Sequence, residues 1–163
     1  VATFTTSKLE AGAHSIPASY GGDSTYAASV STPATVMIAN AAPTATFGKL
    51  TAAPKLAGVA KFGLVTVVTI DQAGTITSRL AIPAAVARKL GLLAKKSKQT
   101  TPFVVGITTS TARTAGKFTF ASKLAKRAAR VLVKQRSVRL TQTITVKTPR
   151  GSRTVARTVT IKR

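Results

Sequence analysis

The chain has 163 residues, room for one complete domain and part of another, and carries 25 Lys and Arg against three Asp and Glu, a formal net charge of +22. With no cysteine present, disulfides and thiolate metal sites are excluded, so stability must come from apolar burial and strand pairing. No apolar run approaches the roughly 20 residues that a membrane helix requires.

The charge is unevenly placed. Residues 1–60 hold Lys8, Lys49 and Lys55 beside Glu10 and Asp23, a balance of +1, while the remaining 103 hold 22 cations against Asp71 alone, a balance of +21. That step marks a compositional boundary and puts the electrostatic question in the second segment.

Alternation starts at the first residue, with Ala2, Phe4 and Thr6 on one face, and predicts a strand belonging to a domain that begins earlier than Val1. "LEAG" reads as a turn, and His14, Ile16, Ala18 and Tyr20 share a face of a second strand. "YGGDSTY" supplies a glycine and aspartate turn, and "AASVSTPATVMIA" reads as a third strand with Pro33 near its start. Three strands make an incomplete sandwich.

The Pro and Ala-rich stretch "ANAAPTATFGKLTAAPKLAG" has no sustained period and is expected to be a linker and domain entry over 39–59. "KFGLVTVVTI" then predicts a strand with Leu64, Thr66, Val68 and Ile70 on one face, turned by "DQAG" into "TITSRLAI" as a hairpin. Pro83 and Gly91 bracket a short helix over 83–90, with Val86 and Leu90 one turn apart. "PFVVGI" is read as a buried strand, "TTSTARTAG" as a turn, and "KFTFAS" as a strand whose Phe118 and Phe120 fill the core.

In "SKLAKRAARVLVK" the period changes: Leu124, Ala128, Val131 and Leu132 form a stripe, predicting an amphipathic helix over 122–134. Val138, Leu140, Ile144 and Val146, then Val155, Val159 and Ile161 across the "TPRGSR" turn, predict a closing pair of strands. Gln142 and Arg157 interrupt those inward faces, which implies a bulge or an edge.

The first segment resembles a known family. "VATFTTSKLEAGAHSIPASYGGDSTYAAS" is similar to the second half of the bacterial immunoglobulin-like repeats found in tandem in large secreted and surface proteins. Its G-x-H-x-I-x-A-x-Y and G-D-x-x-Y-x-x-S patterns fall in register on Gly12, His14, Ile16, Ala18, Tyr20, Gly22, Asp23, Tyr26 and Ser29, over residues 1–38. Pro17 departs from it at an outward position. The resemblance implies the last three strands of a sandwich whose first half lies elsewhere. Residues 60–163 resemble, through weaker motifs, a basic sandwich module that ends many secreted actinobacterial proteins, with "DQAGT" where such modules carry a glycine and cysteine turn. The expected fold class is therefore mainly β: an immunoglobulin-like β-sandwich with short helices over 60–163, preceded by a partial immunoglobulin-like domain over 1–38.

Catalysis is not expected. The acids Glu10, Asp23 and Asp71 and the single His14 are scattered, and acid–base work needs two such groups within hydrogen-bond reach. His14 reads as a core or corner residue and Asp23 as a turn residue rather than a calcium ligand; no cofactor or metal is implied. Residues 113–163 hold 15 cations and no acid, more than solubility or edge protection of a Thr and Val-rich sheet calls for. A polyanion-binding face is expected on Lys123, Lys126, Arg127, Arg130, Lys134, Arg136 and Arg139. Acidic polymers or acidic protein surfaces are the implied partners, with nucleic acid engaged non-specifically. The leading expectation is a non-catalytic structural or adhesive module of a tandem secreted or cell-surface protein, in contact with neighbouring immunoglobulin-like domains or protomers in a fibre. The alternative is a nucleic-acid or other polyanion-binding module.

Overall fold

The computed structural model describes residues 3–39, 41–50 and 54–163, and the chain divides into two units, Val1–Ala41 and Ala42–Arg163. The chain is mainly β, and the strands of both units pair antiparallel.

In the first unit, β1 (Gly12–Ile16) pairs with β4 (Ala34–Ile38), and β2 (Ser19–Tyr20) pairs with β3 (Ser29–Val30). This is one hairpin broken in the middle. Pro17 and Pro33 lack the N–H that a ladder needs, and across them the partner of Ile16 is Ala34 while the partner of Ser19 is Val30. One residue is thus left over on the returning strand. Ser31 bridges the break: its backbone N–H donates to the Ala18 carbonyl at 2.8 Å, and its Oγ accepts from the Ala18 N–H at 2.9 Å. The first predicted strand is corrected. Residues 3–11 form none, because no strand in the described residues pairs with them, and Ala2 lies outside those residues. No residue of 3–39 is buried; Phe4 is 77% exposed and Tyr26 68%.

The second unit has a three-stranded sheet, β5-β6-β9, and a four-stranded sheet, β11-β10-β7-β8. The strands are β5 (Ala45–Phe47), β6 (Leu64–Ile70), β7 (Gly74–Ile82), β8 (Phe103–Ala112), β9 (Gly116–Ser122), β10 (Ser137–Thr148) and β11 (Gly151–Lys162). Three short helices sit among them: α1 (Leu56–Phe62), α2 (Ala84–Lys89) and α3 (Lys126–Leu132). The segment read as a linker therefore holds β5 and the start of α1, while residues 40 and 51–53 within it lie outside the described residues.

The predicted faces hold, but one predicted pairing does not. Leu64, Thr66, Val68 and Ile70 are buried, as are Ile76, Leu80 and Ile82. Yet β6 pairs with β5 and β9, and β7 with β8 and β10. "DQAG" thus carries the chain between sheets rather than around a hairpin, since two strands with strongly apolar inward faces bury more area in opposite layers than side by side. The "TTST" of the predicted turn belongs to β8, leaving the turn to 113–115. In α2, Ala84 and Ala87 are buried while Val86 is 40% exposed, and the helix ends at Lys89, followed by Leu90 as its cap and then Gly91, whose φ of +68° suits glycine.

The core has two apolar clusters. One gathers Leu56, Leu64, Leu80, Leu132, Leu140 and Ile161 beneath the helices; the other gathers Val68, Ile70, Ile76, Ile144 and Val146 toward the β10–β11 turn. A polar belt lies between them in sequence register. Gln142 Nε2 donates toward Thr66 Oγ1 (2.7 Å), Ser122 Oγ (2.9 Å) and Ser78 Oγ (3.1 Å), and its Oε1 accepts from Arg157 Nε at 2.9 Å. Because a guanidinium can only donate, Arg157 fixes the orientation of this amide. Arg157 also donates Nη1 to the Gly48 carbonyl at 3.2 Å and lies 4.4 Å from the centre of the Phe47 ring. The implied bulge is corrected: pairing runs unbroken through Gln142 and Arg157, and the register shift falls between Leu80 and Ala81. Arg157 does stand on an edge strand, β11, but Gln142 is on central β10. Inward polar residues persist here because most of their polar atoms satisfy one another, Arg157 Nη2 alone being buried without a hydrogen-bond partner among the described residues.

Candidate polyanion interface

The cationic helix starts later than its period predicts because the chain before it is held extended against β8. Lys123 N–H donates to Thr108 Oγ1 and Ala125 N–H to the Val105 carbonyl, both at 2.8 Å. Gly106 makes this approach feasible: a Cβ there would stand 2.2 Å from the Lys123 carbonyl oxygen. α3 therefore begins at Lys126, with Ala125 (φ −61°, ψ 141°) before it, rather than at 122. Ala128 and Leu132 are buried and Val131 half-buried, while Leu124 packs against the core from outside the helix.

All seven predicted cations, Lys123, Lys126, Arg127, Arg130, Lys134, Arg136 and Arg139, are exposed, but they do not form one stripe. Lys123, Lys126 and Arg130 line a groove of about 390 Å³ between α1 and α3, floored by Ala60, Gly63, Leu124 and Ala129. Arg127 is held elsewhere: its Nη2 donates to the Gly91 carbonyl at 2.6 Å, tying α3 to the loop after α2. Arg139 lines a separate groove with Lys89 beside α2. Lys134 and Arg136 lie in the turn into β10, where the Arg136 carbonyl accepts from the Arg163 N–H at 2.9 Å.

Sequence reasoning missed Lys61. It stands on α1, at the start of the stretch read as a strand, and faces the same groove as Lys123, Lys126 and Arg130. Its ammonium is 5.0 Å from the centre of the Phe62 ring, which is 63% exposed and lines a different, apolar groove with Leu50, Val59 and Val65. Only the packing of α1 on α3 brings Lys61 to the others, and no local pattern signals that contact.

These charges work against the helix that carries them. Lys126 and Arg127 occupy the first turn of α3, where no acid is present and cations oppose the helix dipole, and Lys126 precedes Arg130 by four residues. Each such arrangement costs about 0.3–0.5 kcal/mol at an exposed site.

Two of the three carboxylates, Asp23 and Asp71, are engaged in structure. Asp23 Oδ1 accepts the N–H of Thr25 and of Tyr26, each at 2.8 Å, and Oδ2 accepts the Tyr20 hydroxyl. The Tyr20 hydroxyl chiefly, then those amides, hold the Asp23 carboxyl below its usual value, and the same bond pushes the Tyr20 phenol up. Asp71 Oδ1 accepts the Thr44 N–H at 2.8 Å, which lowers the Asp71 carboxyl and ties the start of β5 to the end of β6. His14 Nε2 lies 2.6 Å from the Glu10 carbonyl oxygen. Among the described residues no three His, Asp or Glu side chains gather as a metal site, and no helix is long and apolar enough to cross a membrane. No protein-family model matches the chain, and no curated protein does.

Proposed function

We propose that this chain is a non-catalytic structural or adhesive module of a secreted or cell-surface protein, combining part of one immunoglobulin-like sandwich with a complete second one. One observation carries the reading. Residues 3–39 form a broken hairpin with no buried residue, although His14, Ile16, Val36 and Ile38 fall on one face of it. A sheet with an apolar face and no second layer is a partner-seeking element. In the second unit, counting strands from β5, the sheet orders first-second-fifth and seventh-sixth-third-fourth are those of a seven-stranded Greek-key sandwich, which supports the immunoglobulin-like assignment. The one side-chain carboxylate of this unit accepts a backbone amide, and the unit has no histidine. That favours a structural role over acid–base chemistry.

Light scattering over a concentration series tests the proposal. Chains that complete each other's half sandwich associate as concentration rises, and Ile16→Asp with Val36→Asp abolishes the association while the second unit stays folded. A monomer whose β1–β4 amides are protected from hydrogen exchange as deeply as a core would overturn it.

A second reading rests on a separate observation: residues 72–163 hold no Asp or Glu side chain. Under it the module also attaches to polyanions. The charge alone supplies salt-sensitive, non-specific affinity, and wild-type binding to an anionic polymer at low salt is the direct test.

A further inference from the structure

We infer that polyanion attachment, if the second reading holds, is localised in the groove between α1 and α3, and that its ligand is a linear polyanion without bases. The groove sets four cations, Lys61, Lys123, Lys126 and Arg130, around a floor of Ala60, Gly63, Leu124 and Ala129. These cations come from α1, from α3 and from the extended segment pinned across β8 by Val105 and Thr108. Two packed helices and a hydrogen-bonded strand edge hold them in one place, so the charges converge rather than spread over the sheet. An anionic chain lying along the groove meets them in succession.

The lining identifies the ligand class. It contains no aromatic ring, amide or hydroxyl side chain; the nearby Phe62 ring lines the neighbouring apolar groove instead. Single-stranded nucleic acid binding relies on rings for base stacking, and base-edge reading relies on bidentate amides or guanidinia. Here three of the four cations are ammonium groups, which attract phosphate, sulfate or carboxylate as point charges without selecting a planar partner. The aliphatic floor adds contact for a sugar or polyol backbone and nothing that distinguishes one base from another. Arg127, being bonded to the Gly91 carbonyl, lies outside this set, and so does Arg139, which lines the α2 groove.

The probes are inorganic polyphosphate and an oligothymidylate with the same number of phosphates, titrated against the whole chain at several salt concentrations. One variant carries Lys61→Gln, Lys126→Gln and Arg130→Gln; a control carries Lys147→Gln, Arg150→Gln and Arg153→Gln at the β10–β11 turn. All six side chains are exposed, both variants lose equal charge, and thermal melts establish that both remain folded. The wild type is expected to bind polyphosphate at least as tightly as the oligothymidylate. The groove variant should lose about tenfold or more in affinity and about two in the slope of log K against log salt, at roughly 0.7 per lost contact. The control should lose about threefold or less, through the long-range field alone. Equal losses in the two variants would overturn the groove while leaving polyanion attachment standing, and much tighter binding of the oligothymidylate would overturn the base-free ligand. Failure of the wild type to bind either polymer would remove the second reading itself.

Discussion

The two units share a sequence pattern and differ in what it achieves. In β1 and β4, His14, Ile16, Val36 and Ile38 share one face, interleaved with Ala13, Ser15, Thr35 and the exposed Met37, much as Val138, Leu140, Ile144 and Val146 share a face of β10, yet none of the first set is buried and all of the second are. Alternation specifies which face of a strand is apolar; only a second layer turns that face into a core. The second unit has two sheets and three helices to supply it, whereas the described residues of the first offer a single hairpin.

The largest expected effect follows directly. Leu140→Ala, at a site 1% exposed, should destabilise the second unit by about 2–5 kcal/mol, the range for truncating a buried leucine. Ile16→Ala in β1 should change chain stability by less than about 1 kcal/mol. Denaturant unfolding of the two variants measures both. Native-state hydrogen exchange sharpens the contrast, with β10 amides opening only in global unfolding and β1 amides exchanging through local opening. An Ile16→Ala shift as large as that of Leu140→Ala would mean the first unit has a core of its own, and the comparison would collapse.

A smaller effect divides the second unit internally. Gln142→Leu keeps roughly the same volume but leaves Arg157 Nε without its acceptor, while Thr66 still donates to the Leu64 carbonyl and Ser78 still meets Ser122 at 2.8 Å. The expected loss is about 1–3 kcal/mol, the cost of one orphaned polar group near a charge. Arg157→Met alone should also destabilise, since Gln142 Oε1 loses its donor and Phe47 its cation. The double variant Gln142→Leu/Arg157→Met should lose less than the two single losses added, because removing both partners leaves neither unsatisfied. Strict additivity in that cycle would show the belt to be two independent contacts.

What was legible in the sequence and what was not divides along the same physical line. The inward faces of β6, β7, β10 and β11 were readable, because side-chain direction in a strand has a period of two and each inward set is mainly apolar. Partners were not: "DQAG" looks the same whether its flanking strands pair or face each other across a core, and only the competition among all seven strands decides. The Gln142 and Arg157 interruption was visible as an anomaly, but its resolution needed Thr66, Ser78 and Ser122, which are distant in the chain. Likewise, the charge of α3 was evident, but neither the bond from Arg127 to Gly91 nor the presence of Lys61 in the groove has a local signature.

The smallest expected effect is the most selective. Asp71 is the one side-chain carboxylate in the sequence of the second unit, whereas the first carries Glu10 and Asp23. The Thr44 N–H holds the folded Asp71 carboxyl below its unfolded value, so this group contributes stability that is present above the ordinary carboxylate value and is lost as pH falls through the lower folded value. The denaturant midpoint of the second unit, followed from about pH 6 down to about pH 2, should therefore stay flat and then decline with a slope corresponding to at most one proton. Asp71→Asn retains an oxygen that can accept the Thr44 N–H but cannot titrate, so it should remove that decline while costing little at neutral pH. Asp71→Ala, which loses the acceptor as well, should free the start of β5 and speed exchange of the Thr44 amide. A decline that persists in Asp71→Asn would mean that carboxylates of the first unit are coupled to the stability of the second, and the two units would then not be energetically separate.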